Sequence, residues 1–141
     1  MKKAFLLLVV SLAVLLSACQ AKGFAVDNVW ARPGIPGGTS AVYFEIRNLT
    51  DQSDTLLSAR TDIAQAAELH VSKMNKQGVM TMEPLENVPV PALNKVDFTP
   101  GGMHVMLVNL KEALDVGQTF DLVLTFEKNG EIQLTVPVKA P

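Results

Sequence analysis

Phe120-Asp121-Leu122-Val123-Leu124-Thr125-Phe126-Glu127-Lys128-Asn129-Gly130-Glu131-Ile132-Gln133-Leu134-Thr135-Val136-Pro137-Val138 decides the fold class. Phe120, Leu122, Leu124 and Phe126 recur at every second position, the period of a strand with one face buried. Gln133 to Val138 is a second β-rich run. Asn129-Gly130 between them predicts a hairpin closed by a type I′ turn.

The same grammar extends upstream. Pro33-Gly34-Ile35-Pro36-Gly37-Gly38, the polar stretch Asn48 to Asp54, Asn75-Lys76-Gln77-Gly78 and Pro100-Gly101-Gly102 all read as turns. Between them lie short runs such as Ala41-Val42-Tyr43-Phe44-Glu45-Ile46. Asp62 to Leu69 (DIAQAAEL) is expected to form a helical turn. No long amphipathic helix alternates with the strands, which excludes a parallel α/β fold. The expected architecture is an all-β antiparallel sandwich or barrel of seven to nine strands. There is no internal repeat and no second domain.

The N-terminal end follows a different rule. Met1-Lys2-Lys3 is basic, and Ala4 to Leu16 is apolar except for Ser11. That run is too short for an ordinary spanning helix and has the layout of a secretory signal. It ends Leu16-Ser17-Ala18-Cys19, which resembles the lipobox of bacterial lipoproteins. That resemblance makes Cys19, the single Cys of the chain, a lipidated first mature residue. Gln20 in place of Asp then implies the outer membrane, with the protein facing the periplasm. The expected organisation is signal peptide 1–18, tether 19–23 and folded domain 24–141.

Composition narrows the function. The 141 residues are 48% apolar and carry a formal charge of −2. Lys2 and Lys3 leave with the signal, so the mature chain is more acidic still. No basic stripe suits a nucleic acid. One Cys excludes an internal disulfide framework and a Cys-only zinc site. No nucleophile–base constellation or phosphate-binding glycine loop supports an enzyme.

The two His, His70 and His104, share a 37-residue window with Met74, Met80, Met82, Met103 and Met106. Thioethers and imidazoles without thiolates or paired carboxylates suit Cu(I) better than Zn, Mg or Ca. Asn75-Lys76-Gln77-Gly78 predicts a type I turn with a G1 bulge. That hairpin pairs position 74 with 80, 72 with 82 and 70 with 84. His70, Met82, Met74 and Met80 then share one face, with Met74 and Met80 nearer the turn as candidate accessory metal ligands. His104 and Met106, two apart, point to one side of a strand, while Met103 points into the core.

The spacing of His70, Met82, His104 and Met106 resembles the His/Met motif of the PCu(A)C copper chaperones. Val29-Trp30-Ala31-Arg32-Pro33, Ala41-Val42-Tyr43, Asn48, Glu68-Leu69-His70, Met82-Glu83-Pro84 and Pro100 to Leu107 extend the likeness along the domain. Many members have Met immediately after the first His, where this chain has Val71. The resemblance implies a cupredoxin-like Greek-key β-sandwich. It also implies a monomer holding one Cu(I) on those four residues for a copper-accepting protein, a cytochrome c oxidase subunit or its assembly factors. The competing reading is a metal-free β-sandwich lipoprotein that acts as a binding module.

Overall fold

The computed structural model describes residues 23–140. Ten strands run in the order β1 (Phe24–Ala31), β2 (Ser40–Asn48), β3 (Asp54–Arg60), β4 (Ala64–Met74), β5 (Met80–Pro84), β6 (Val88–Val90), β7 (Asn94–Phe98), β8 (Met103–Leu110), β9 (Thr119–Phe126) and β10 (Gly130–Pro137). One sheet has the order β1-β2-β7-β8-β4-β5, with β2 also pairing β8. The other has the order β10-β9-β3-β6. The strand pairings are antiparallel apart from a single parallel contact between β7 and β8.

The two sheets close over one core. From β9 it receives Phe120, Leu122, Leu124 and Phe126, all buried on the expected face. From β2 it receives Val42, Phe44 and Ile46. Phe24 meets Phe126 edge-on across the sheets at 5.0 Å, and Phe44 stacks on Phe98 at 4.3 Å. Both geometries are favoured by the aromatic quadrupole.

Three expectations needed correction. The strand count is ten, because the 85–98 stretch folds as two short strands. The first, Val88-Pro89-Val90, buries its valines and leaves Pro89 outward on a sheet edge, where a missing N–H costs nothing. Residues 62–69 are not a helical turn: from Ala64 they belong to β4. Ala and Glu favour helix locally, but Ala64 to Val71 lie against Leu110 to Met103 of β8, and Ala64 and Leu69 enter the core.

The third correction concerns the β9–β10 turn. Gly130 pairs with Phe126, so the loop is Glu127-Lys128-Asn129, and Gly130 alone has positive φ, at 70°. A two-residue Asn129-Gly130 turn would have slipped the register by an odd number. It would have set Leu124 opposite Thr135 instead of Ile132 and turned the apolar face of β10 to solvent. Buried Asp54 of β3 fixes the observed loop. Its carboxylate accepts from the backbone N–H groups of Lys128 and Asn129 at 2.9 and 3.0 Å and from the Asn129 side chain at 2.6 Å.

Backbone irregularities set which side chains reach the outer face of the six-stranded sheet. Asn28, at φ 55°, makes a bulge in β1. Val26 and Val29 both pack on the core across it, and Trp30 turns outward onto Tyr43, ring centroids 4.8 Å apart.

Candidate metal centre

The outer face of β8 carries His104 and Met106, while Val105 and Leu107 of the same strand are fully buried in the core. Met103, on the core side, packs against it as its alternation requires. His104 lies opposite His70 on β4, and Met106 lies opposite Glu68 on one side and Ala41 of β2 on the other. The β4–β5 hairpin has the expected register: Met74 with Met80, Ser72 with Met82 and His70 with Pro84. Its turn is closed as the residues dictate, by Gly78 N–H to the Asn75 carbonyl at 3.0 Å with Gly78 at φ 78°. The face therefore collects Glu68, His70, Ser72, Met74, Met80, Met82, His104 and Met106.

Part of this face borders a cleft of about 510 Å³, whose lining includes Met80, Met82, His104, Met106, Tyr43 and Arg32. His70 flanks it, its ring centred 6.0 Å from that of His104. At a metal–nitrogen distance of about 2 Å, one ion fits between two rings so placed. Met82 is 61% exposed, so one wall of the cleft opens to solvent. Met74, at 68% exposure, lies out on the hairpin and does not line the cleft. Cys19 lies outside the described residues.

The hydrogen bonds fix which imidazole nitrogens are free. His104 Nδ1 lies 3.1 Å from the Gly102 carbonyl, which can only accept, so Nδ1 carries the proton and Nε2 keeps its lone pair. Gly102 is held in turn by a type II turn. Its N–H donates to the Thr99 carbonyl at 2.9 Å, with Pro100 and Gly101 (φ 80°) at the central positions. Its carbonyl also accepts from the Ser72 N–H at 3.0 Å, which ties β4 to the same point. On His70 the assignment is reversed. Nε2 donates to Glu68 Oε2 at 2.9 Å, and Nδ1 is buried with no hydrogen-bond partner. A buried, unpaired nitrogen costs stability unless something binds it.

Electrostatics keep the second imidazole ready to bind. Burial holds the His104 pKa below its ordinary value. The Gly102 carbonyl opposes this, and the charges of His70 and Arg32 reinforce it. Among the described residues no three His, Cys, Asp or Glu side chains cluster. The available donors are thus two imidazole nitrogens and thioethers, a set for a soft cation. Sequence reasoning gave no role to Glu68, Tyr43 or Arg32. Glu68 and His70 are two apart, a relation visible only once 64–74 is read as a strand.

Comparison with known proteins agrees with this architecture. The model of the LpqE-like lipoprotein family matches residues 24–138. A protein of Leifsonia xyli subsp. xyli bearing a lipoprotein name is 30% identical over 121 residues, 85% of this chain and 72% of its own length. An uncharacterized protein of Rickettsia prowazekii is 32% identical over 77% of this chain, which spans only 62% of that relative. Among solved structures, the apo PCuAC domain from PmoF1 superposes with a TM-score of 0.71 at 29% identity, over 84% of this chain and 95% of that one. The copper-bound PCuAC domain from PmoF2 gives 0.70 at 25%, over 84% and 94%. The Cu(I) form of DR1885 from Deinococcus radiodurans gives 0.61 at 26%, over 88% and 85%. The sandwich is thus the cupredoxin-like PCuAC fold, and the chain belongs to the LpqE-like lipoprotein family of PCuAC-related proteins.

Proposed function

We propose that this protein is a copper carrier of the bacterial cell envelope that binds one Cu(I) through His70, Met82, His104 and Met106. The observation that carries the reading is the pair of facing imidazoles, His70 with an orphaned, buried Nδ1 and its ring 6.0 Å from that of His104, which lines a cleft with Met80, Met82 and Met106. Copper-bound members among the structural neighbours support the choice of metal. Copper is cargo here. Neutral thioethers and imidazoles favour Cu(I) over Cu(II) and release it more readily than thiolates would. A blue-copper electron carrier would need a Cys thiolate in the site, and the single Cys of the chain is Cys19.

The acceptor is a copper-requiring membrane enzyme of the envelope, with cytochrome c oxidase or its assembly factors as the expected recipient. Cys19 anchors the protein by lipid to the outer membrane, facing the periplasm, with 19–23 as tether and 24–141 as the carrying domain. Titration with Cu(I) against a chromophoric competitor under reducing conditions tests the core of this reading. One equivalent should bind, and His70→Ala with His104→Ala should weaken competition sharply. Binding unchanged in that double variant overturns the two-imidazole site, and no uptake by the wild type leaves the metal-free module as the function.

A further inference from the structure

The outer face of the β4–β5 hairpin is apolar where a solvated strand should be polar. Met74, Met80 and Met82 are 68%, 49% and 61% exposed, so none of them is there to fill the core. The opposite face of the same hairpin has the ordinary surface chemistry. There Lys73 pairs with Glu83 at 2.7 Å and Thr81 donates to the Lys73 carbonyl at 3.2 Å. The register fixes the three methionines as neighbours. Met74 is directly opposite Met80, and Met82 is diagonal to Met74 on the same face. Such positions are about 5 Å and about 7–8 Å apart, within reach of unbranched side chains. Met80 and Met82 also line the cleft that holds His104 and Met106.

We infer that Met74, Met80 and Met82 form a three-thioether receiving site for Cu(I), distinct from the His/Met site and sharing Met82 with it. Three neutral sulfurs bind a soft monovalent cation and discriminate against harder divalent ones. The ion first meets the exposed thioethers. It then passes into the cleft by exchanging Met74 and Met80 for the two imidazoles and Met106, while Met82 stays bound. Copper remains Cu(I) throughout, and only ligands exchange. Because Met82 serves both sites, they exclude each other, and the protein still carries one ion. The same path in reverse presents the ion to an acceptor.

This inference rests on the copper reading and is tested so that the two can fail separately. The protein is labelled with ¹³C at the methionine methyls and titrated with Cu(I) under reducing conditions, in the wild type and in His70→Ala/His104→Ala. The double variant should show the Met74, Met80 and Met82 methyls shifting together to a 1:1 endpoint. Adding Met74→Leu and Met80→Leu should remove that residual binding. In the wild type, Met74→Leu/Met80→Leu should slow uptake from a Cu(I)–competitor complex and leave final occupancy unchanged. That variant keeps both imidazoles, so this arm does not depend on how well the His variant folds. Leucine keeps the apolar surface, so a face that served only to dock a partner would give wild-type uptake kinetics. Silent Met74 and Met80 methyls, or uptake unaffected by the leucines, overturns the receiving site even when the wild type binds copper. Wild-type protein that takes up no Cu(I) overturns the carrier reading itself.

Discussion

His70 and His104 carry opposite tautomers because different oxygens hold them. Glu68 accepts a hydrogen bond from the His70 Nε2–H, and the Gly102 carbonyl accepts one from the His104 Nδ1–H. Glu68 is therefore a positioning residue for the site. Glu68→Ala should weaken Cu(I) affinity roughly 10–100-fold, and Glu68→Gln, which keeps an acceptor, should restore most of it. Competitor titration reads both. Protonation of His104 links the site to stability. Its folded pKa lies below the ordinary 6.5, chiefly through burial, so the unfolded chain takes up that proton first as pH falls. The stability present above pH 6.5 is thus lost progressively below it, down to the folded pKa. Thermal midpoints measured from about pH 7 to about pH 5 should fall less steeply in His104→Gln than in the wild type. The shared faces of His70 with Met82 and of His104 with Met106 were legible in the sequence, because one turn and strand periodicity fix each pair, but their meeting rests on the pairing of β4 with β8. Glu68 was not, because Ala-rich 64–67 reads as helix until the partner strand β8 is known.

At the scale of elements, turn chemistry separates what the sequence dictates from what the fold decides. Asn75-Lys76-Gln77-Gly78 specifies its own turn, and the hairpin register followed from it. Asn129-Gly130 marks a hairpin equally well. There, however, Asp54 binds the turn amides from 74 and 75 residues away and selects a three-residue loop. No local reading contains that contact. Its consequence can be measured at Gly130, which has φ 70° and no atom within 4 Å of where a Cβ would stand. Gly130→Ala should therefore cost about 1–2 kcal/mol from backbone conformation alone, read by denaturant unfolding. A cost near zero would show that the left-handed residue is not needed there.

At the scale of the molecule, the sandwich carries the proposed metal site on its outer sheet face and begins close to its proposed anchor. β1 starts at Phe24, five residues after Cys19, so the domain would ride near the lipid surface. Cys19→Ser should move the protein from the membrane fraction to the soluble fraction. A variant still sedimenting with membranes would exclude lipid at that residue as the anchor. The exposure of the hairpin thioethers has a further consequence, one of chemical vulnerability. A sulfur open to a passing metal ion is equally open to peroxide or hypochlorite. One added oxygen turns methionine into its sulfoxide, a harder and more polar group that no longer favours Cu(I). Oxidant stress would thus switch the proposed carrier off at Met74, Met80 and Met82 while the β-core stays folded. Because sulfoxide reductases reverse that lesion, the damage is repairable in a way that over-oxidation of a thiolate site is not.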